Sequence, residues 1–306
     1  MAELSVQEFF DLAQIPFPAS QAVVEGMQTL ESKYDNCEIF FYQDVVYAER
    51  PELPLHLQII GPVGRGDRLP LIIFIPGSGF GRQNVKERIP CLTYLVQRGF
   101  VVAALEYRSS GDKPFPSQLL DAKAGVRYMK RHAAQYSIDP EKIVLMGDSS
   151  GGHTSLMAAF TCGMEAFEEP DDAFDASVRG VVDYSGLVDF TTINNAPSLV
   201  DHSAPDSVEG RELGGVDVLA HPELAAKASV LSYISRERDI PPVMIVHGTN
   251  DGFVPFEQSC ELFDALRNAG KDAAFYRLSG GRHGGPEFWS SEVLDIVEAF
   301  VRRVTE

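Results

Sequence analysis

The feature that most restricts the fold is an alternation of short apolar segments with longer amphipathic ones, from residue 71 onward. The short segments are rich in β-branched residues and have the length of strands buried on both faces. They cover residues 71–76, 101–107, 142–147, 180–186, 243–248 and 273–280. The intervening segments have a helical pattern and lie near 86–98, 116–135, 150–161, 257–269 and 287–303. Alternating strands and helices require crossover connections, so the chain is predicted to be an α/β protein with a mostly parallel central sheet and helices on both faces.

Two regions differ from this alternation. Residues 5–34 have a helical pattern broken at Pro16 and Pro18, which predicts an N-terminal helical arm or partial cap over 1–37. The α/β domain is then expected to cover residues 38–306. It begins with segments 38–47 and 54–60, in which polar and apolar residues alternate as in an antiparallel pair of strands.

One connection within the α/β domain is unusually long. More than fifty residues, rich in Asp, Ser, Pro and Gly, separate the strand that ends near Ser185 from the strand that starts near Val243. Only 221–233 looks helical. Long irregular connections in compact domains usually serve binding or gating, so about 187–240 is predicted to be a lid insertion.

Composition narrows the class of partner. The chain has 44 acidic and 26 basic residues, a net charge of −18, which repels nucleic acid and anionic membranes. Its apolar runs are too short to span a bilayer, its N-terminus lacks a signal-peptide pattern, and its four cysteines form no CxxC pair. P-loop, GxGxxG and HExxH patterns are missing. A cytoplasmic protein without metal or cofactor is therefore expected.

A serine motif stands between a predicted strand and a predicted helix. Gly147-Asp148-Ser149-Ser150-Gly151 fits G-x-S-x-G, the nucleophile elbow in which a sharp turn exposes the serine hydroxyl. The flanking glycines are needed because a Cβ there would collide with neighbouring backbone. The start of the following helix adds positive potential where an oxyanion forms. Ser149 is therefore the candidate nucleophile.

Two further motifs complete a triad in the chain order serine, acid, histidine. Asp251 follows the strand 243–248, and His283 lies among glycines after the strand 273–280. All three residues would lie at the carboxyl ends of strands, where open α/β sheets build their sites. The alternative acid is Asp189. His153 and His247 are predicted to be structural.

The loop after the strand 71–76 is expected to complete the oxyanion hole. It reads Pro76-Gly77-Ser78-Gly79-Phe80, in the place where esterases carry an HGGG-type loop. Gly77 and Ser78 are the expected backbone donors, with the N–H of Ser150 as the other half. Phe80 and Phe190 are predicted to contact substrate.

With these motifs the chain resembles the esterase/lipase group of α/β hydrolases, in particular hormone-sensitive-lipase-like and bacterial feruloyl-esterase-like (BD-FAE) carboxylesterases. Residues 106–153 and 212–255 are similar to core segments of that group, and the resemblance covers about 38–303. It implies a triad of Ser149, Asp251 and His283. It departs at the oxyanion loop, where Pro-Gly-Ser-Gly replaces His-Gly-Gly-Gly.

The function expected from these residues is serine-dependent hydrolysis of small acyl esters, of the short-chain, acetylated-sugar or feruloyl type, through an acyl-enzyme. An arylformamidase-like or peptidase-like amide hydrolase, or a non-catalytic ligand-binding homologue, are the alternatives. The expected partners are the small-molecule ester and a second copy of the chain in a homodimer. An apolar roof over Ser149 is predicted, although the same side chains could simply pack the arm onto the domain; it comprises Phe9, Phe10, Phe17, Phe190 and Val200.

Overall fold

The computed structural model describes residues 15–31, 37–66, 68–169 and 173–306. The chain divides into two units, residues 1–35 and residues 36–306. In the first unit, residues 15–31 contain a turn at 25–26 and no helix, so the predicted helical arm is not found in that segment. Pro16 and Pro18 cannot donate backbone hydrogen bonds, which disfavours a helix there. Residues 1–14, with Phe9 and Phe10, lie outside the described residues.

The second unit is built on one sheet. Its strands are β1 (Ile39–Glu49), β2 (Pro54–Pro62), β3 (Leu69–Ile75), β4 (Val101–Leu105), β5 (Ile138–Asp148), β6 (Gly180–Tyr184), β7 (Val243–Gly248) and β8 (Ala273–Leu278). Their order is β1-β2-β4-β3-β5-β6-β7-β8. The pairs β1–β2 and β2–β4 are antiparallel, and the other neighbouring pairs are parallel. The mostly parallel sheet and each strand expected from the sequence are confirmed.

Helices cover both faces of the sheet. They are α1 (Ile89–Gln97), α2 (Ser117–Arg131), α3 (Ser150–Phe160), α4 (Val208–Glu212), α5 (Pro222–Ala228), α6 (Phe256–Asn268) and α7 (Ser291–Thr305). Shorter 3₁₀ turns lie at Glu165–Phe167, Ile193–Asn195, Val230–Tyr233 and Pro286–Trp289. Every helix among the described residues is too short or too polar to span a bilayer.

Alternate residues of each strand enter different cores. Ile73 belongs to the core that includes residues of α2, α3 and α6, whereas its neighbour Ile72 belongs to the core that includes residues of α1 and α7. Both side chains are completely buried, and each such burial contributes about 1.5–3 kcal/mol. This period of two explains why the strands look continuously apolar in the sequence.

The connection between β6 and β7 has its own small core. Residues 187–240 contain α4, α5 and two of the 3₁₀ turns, so the segment is more ordered than its composition suggests. Leu187, Phe190, Ile193, Leu213 and Val218 pack there with residues of the sheet-edge loops. The connection is thus a folded insertion at the carboxyl edge of the sheet.

Candidate active site

Ser149 lies in a strained turn between β5 and α3. Its backbone has φ 55° and ψ −125°, a conformation that side-chain-bearing residues rarely adopt and that concentrates at functional sites. The Ser149 N–H donates to the Tyr184 carbonyl on β6 at 2.8 Å, and the Ser149 carbonyl accepts from the His153 N–H at 3.1 Å. These bonds fix the turn at both ends.

The glycines of the elbow are required by packing. A Cβ at Gly151 would overlap the carbonyl oxygen of Ile75 on β3, and one at Gly147 would overlap the backbone of Gly151. Gly77 is similarly constrained, since a Cβ there would lie 2.8 Å from the Ser149 Cβ. The expected steric reason for glycine on both sides of the serine is therefore confirmed.

Asp251 and His283 meet across two loops. The Nδ1–H of His283 donates to Asp251 Oδ2 at 2.6 Å, and the Asp251 side chain is completely buried. Burial raises the pKa of the Asp251 carboxyl, but hydrogen bonds from His247 and His283 outweigh it and hold that pKa below its usual range. The carboxylate is therefore ionised and fixes the imidazole with Nδ1 protonated.

Ser149 and His283 line the same cavity of about 270 Å³. They also share a much smaller cavity with Tyr184, Phe288 and Trp289. No hydrogen bond joins Ser149 to His283 among the described residues, and catalytic hydrogen bonds often tighten only in the complex with substrate. The three residues predicted from the motifs are thus brought together at one end of the sheet.

The alternative acid and the other histidines lie elsewhere. Asp189 Oδ1 accepts from the N–H and hydroxyl of Thr191, at 2.7 and 2.6 Å, and from Ser229. The Nε2–H of His153 donates to the Ala228 carbonyl at 2.8 Å, and burial lowers the pKa of His153 to about 4. His153 is therefore a neutral core residue, as predicted.

His247 supports the acid in a way that the sequence did not indicate. Its ring is completely buried, and its Nε2–H is shared between Asp251 Oδ2 at 3.2 Å and the Val254 carbonyl at 3.1 Å. The Ser259 hydroxyl on α6 donates to Nδ1 at 2.7 Å. Its only signal in the sequence was a spacing of four residues from Asp251.

The expected oxyanion donors need correction. The Gly77 N–H donates to Asp148 Oδ1 at 2.7 Å, and the Ser78 N–H donates to Ser150 Oγ at 2.9 Å. Both groups are therefore occupied. The N–H groups of Gly79 and Ser150 have no acceptor among the described residues, and both residues line the cavity with Ser149. Ser150 stays a predicted donor, and Gly79 replaces Gly77 and Ser78.

Side chains beneath the oxyanion loop hold it in place. Asp148 bonds Arg88 at 3.1 Å as well as Gly77, which ties the loop to the elbow. The Tyr107 hydroxyl lies 3.1 Å from the hydroxyls of both Ser78 and Ser150. These contacts join segments that lie 29 to 71 residues apart in the sequence.

The predicted substrate contacts of Phe80 and Phe190 are wrong. Neither residue lines the cavity around Ser149; both are buried and pack on the ring of His153. Phe80 has φ 54° and lies in the small core of the insertion. The cavity is instead lined by Gly79, Ser149, Ser150, Leu187, Val200, His202, Val208, Glu209, Phe253, Val254 and His283.

The known proteins described next, to which this chain is similar, are named as ester hydrolases. The family model BD-FAE matches residues 57–266. The probable carboxylic ester hydrolase LipM of Mycobacterium tuberculosis is 29% identical over 208 residues, which cover 68% of this chain and 47% of LipM. The chain spans about half the length of the curated relatives it matches.

Solved structures cover more of the chain. A truncated carbohydrate esterase from gut microbiota is 27% identical, with a TM-score of 0.79 over 89% of this chain and 98% of that one. Butyrate-bound Est2 of the planctomycete Thermogutta terrifontis is 26% identical, with a TM-score of 0.68 over 88% of this chain and 94% of that one. The α/β-hydrolase fold is confirmed by both.

Proposed function

The chain belongs to the BD-FAE family of α/β hydrolases, and from this premise we propose that it is a serine hydrolase that cleaves small carboxylic esters. The observation that carries the proposal is the shared cavity of Ser149 and His283, with His283 held by the buried Asp251. The arylformamidase-like and peptidase-like alternatives would use the same residues. Ester hydrolysis is preferred because LipM and both structural relatives are named as ester hydrolases.

In the proposed mechanism, His283 is the general base. Asp251 accepts the Nδ1–H of His283, which leaves Nε2 free to take the proton of the Ser149 hydroxyl. The serine oxygen attacks the ester carbonyl carbon, and the Gly79 and Ser150 N–H groups stabilise the oxyanion. His283 then protonates the leaving alcohol. Water, activated by the same imidazole, hydrolyses the acyl-enzyme.

The size and lining of the cavity support small acyl groups. About 270 Å³ lies near the lower end of the range for small-molecule pockets, and Leu187, Val200, Val208 and Val254 supply apolar walls. Butyrate occupies the structure of the Thermogutta relative. Esters of the short-chain acyl, acetylated-sugar or feruloyl type are the proposed substrates.

The nucleophile is tested by Ser149→Ala. Loss of the nucleophile in such a triad lowers turnover about a millionfold, so hydrolysis of p-nitrophenyl butyrate is expected to disappear. A fluorophosphonate probe is expected to label the wild-type chain stoichiometrically and the variant not at all. Ser235→Ala, at an exposed serine, is the matched control and is expected to keep both properties. Labelling that persists in Ser149→Ala would disprove the assignment.

The acyl preference is tested with p-nitrophenyl acetate, butyrate, octanoate and palmitate. We expect kcat/KM to be highest for acetate or butyrate, because a cavity of this volume has no room for a long chain in addition to the leaving group. A maximum at palmitate with activation at an oil–water interface would instead identify a lipase.

A further inference from the structure

Two buried ionisable side chains interrupt the otherwise apolar wall that the insertion gives to the cavity. They are His202 and Glu209, with relative exposures of 3% and 1%. His202 Nδ1–H donates to Glu209 Oε1 at 2.9 Å, and Ser198 Oγ lies 2.9 Å from His202 Nε2. Neither residue belongs to the proposed triad or oxyanion hole.

The second carboxylate oxygen of Glu209 is unusual. Oε2 is buried and has no hydrogen-bond partner among the described residues. A buried carboxylate oxygen without a donor is costly, and the bond from His202 goes to the other oxygen, Oε1. Because Glu209 lines the cavity, a substrate group that supplied one donor to Oε2 would be favoured there over an apolar group.

The backbone holds Glu209 firmly in this position. Glu209 lies in the first turn of α4, where Ser207 Oγ accepts the Gly210 N–H at 2.9 Å. A Cβ at Gly210 would lie 2.9 Å from the Pro205 Cα, so the helix packs closely on the preceding loop. Val208 next to Glu209 lies against Gly79 of the oxyanion loop. The carboxylate is thus preorganised beside the reaction centre.

We propose that Glu209 is a specificity-determining residue, which accepts a hydrogen bond from a hydroxyl group of the substrate. The proposal rests on the proposed esterase function. It narrows the substrate class to esters of hydroxylated molecules, such as a polyol or a sugar. A hydroxyl fits better than an ammonium group because Oε2 is a single free acceptor in a mostly apolar wall, and a cation would need several.

Matched esters test this with the wild-type protein alone. One arm compares 2,3-dihydroxypropyl butyrate with propyl butyrate, which places the hydroxyls on the alcohol. The other compares ethyl 3-hydroxybutyrate with ethyl butyrate, which places the hydroxyl on the acyl group. We expect kcat/KM to favour the hydroxylated ester about tenfold or more in one arm, as sites that bond a substrate hydroxyl reject analogues without it.

Variants then assign the preference to Glu209. Glu209→Met removes both oxygens at similar volume, and the preference is expected to fall to about one. Glu209→Gln keeps an acceptor for His202 but loses the charge-assisted bond, so an intermediate ratio is expected. Glu223→Gln, at an exposed position of the same insertion, is the matched control and is expected to keep the wild-type ratio.

The outcomes separate the two proposals. Hydrolysis of all four esters with ratios near one in the wild type would overturn the role of Glu209 and leave the esterase function intact. Equal losses on hydroxylated and plain esters in Glu209→Met would also overturn it, because they indicate a structural role. A preference for ethyl 3-aminobutyrate, which carries an ammonium group at neutral pH, over ethyl 3-hydroxybutyrate would show that the site prefers a cation and would overturn the hydroxyl assignment. No hydrolysis of any ester would overturn both proposals.

Discussion

Asp251 receives more hydrogen bonds than a triad acid requires. Oδ2 accepts from His283 and His247, and Oδ1 accepts from the N–H groups of Phe253 and Val254 at 2.9 and 3.0 Å. Four donors around a buried carboxylate explain why its pKa lies below the usual range although burial alone would raise it. The carboxylate therefore stays charged at neutral pH and keeps its hydrogen bond from the Nδ1–H of His283.

This arrangement predicts a ranking of two aspartate substitutions. Asp251→Asn is expected to lower kcat on p-nitrophenyl butyrate about 10⁴-fold, because an amide cannot hold His283 in the required tautomer. Asp189→Asn is expected to change kcat only a few-fold, since the Asp189 side chain bonds Thr191 and Ser229 and, within the described part of the chain, no histidine. The reverse ranking would move the acid to Asp189.

At the residue scale, the sequence predicted positions better than orientations. The order of motifs located Ser149, Asp251 and His283, because each follows a strand whose carboxyl end lies at the same edge. It could not show that Gly77 and Ser78 donate to side chains some seventy residues away. Nor could it show that Phe80 and Phe190 pack inward, because an aromatic residue in a loop has no periodicity to indicate its face.

The elbow is the element in which the sequence is most constrained by geometry. β5, the turn at Ser149 and α3 pass so close to β3 that the backbones leave no space for a side chain at Gly151. The close approach of these backbones therefore explains why the motif has glycine at position 151.

The variant Gly151→Ala tests how much the lack of space at this position matters for the stability of the fold. The added Cβ would overlap the Ile75 carbonyl, and such overpacking costs at least about 2 kcal/mol. The expected result is a clear fall in the midpoint of thermal unfolding, by several degrees. Gly111→Ala is the matched control, since its Cβ would lie 3.7 Å from the nearest atom, the Ser109 hydroxyl. Equal midpoints for the two variants would contradict this account.

The strands of the sheet and the helices of several turns were predictable from the sequence, whereas the shortest helix was not. All strands were located within a few residues of their ends, because apolar β-branched runs between turns have few other uses. α4 was missed, as five residues cannot display a helical period. Its Ser207 cap was the only local signal. α4 nevertheless carries Glu209, so the missed element matters for the site.

For the molecule as a whole, buried neutral groups make stability depend on pH. Asp183 on β6 is completely buried; its Oδ1 accepts from the Gly186 N–H at 3.0 Å, and its Oδ2 has no partner among the described residues. Burial raises the pKa of Asp183 to about 7. The folded state thus binds more protons than the unfolded state between about pH 4 and 7. The stability linked to this group is complete below pH 4 and is lost as pH rises through 7.

Asp183→Asn is expected to remove this dependence. Between pH 5.5 and 8.5 the wild-type free energy of unfolding should fall relative to that of the variant by an amount on the order of a few kcal/mol. His153 has the opposite sign, because its pKa is lowered, but it acts mainly below pH 6.5. Urea unfolding at the two pH values measures the difference, with Asp206→Asn at an exposed position as control. A pH-independent gap between wild type and variant would contradict the prediction.

Other whole-molecule expectations rest on the sequence alone. The homodimer and the cytoplasmic location stay predictions. So does the part of the predicted roof that the N-terminal arm would form, some of which lies outside the described residues. A homodimer and a roof over the cavity depend on contacts between separate units. Such contacts leave no periodic pattern in a sequence, whereas a buried strand does.

The walls around Ser149 have two origins. The loops of the sheet carry the proposed catalytic residues, whereas Val200, His202, Val208 and Glu209 come from the connection between β6 and β7. That connection adds no strand to the sheet, so its side chains can change without shifting the register that fixes the nucleophile. Reactivity and choice of ester can therefore diverge independently. Proteins that share this sheet and this elbow can therefore differ in the ester they accept through changes confined to about fifty residues of the connection.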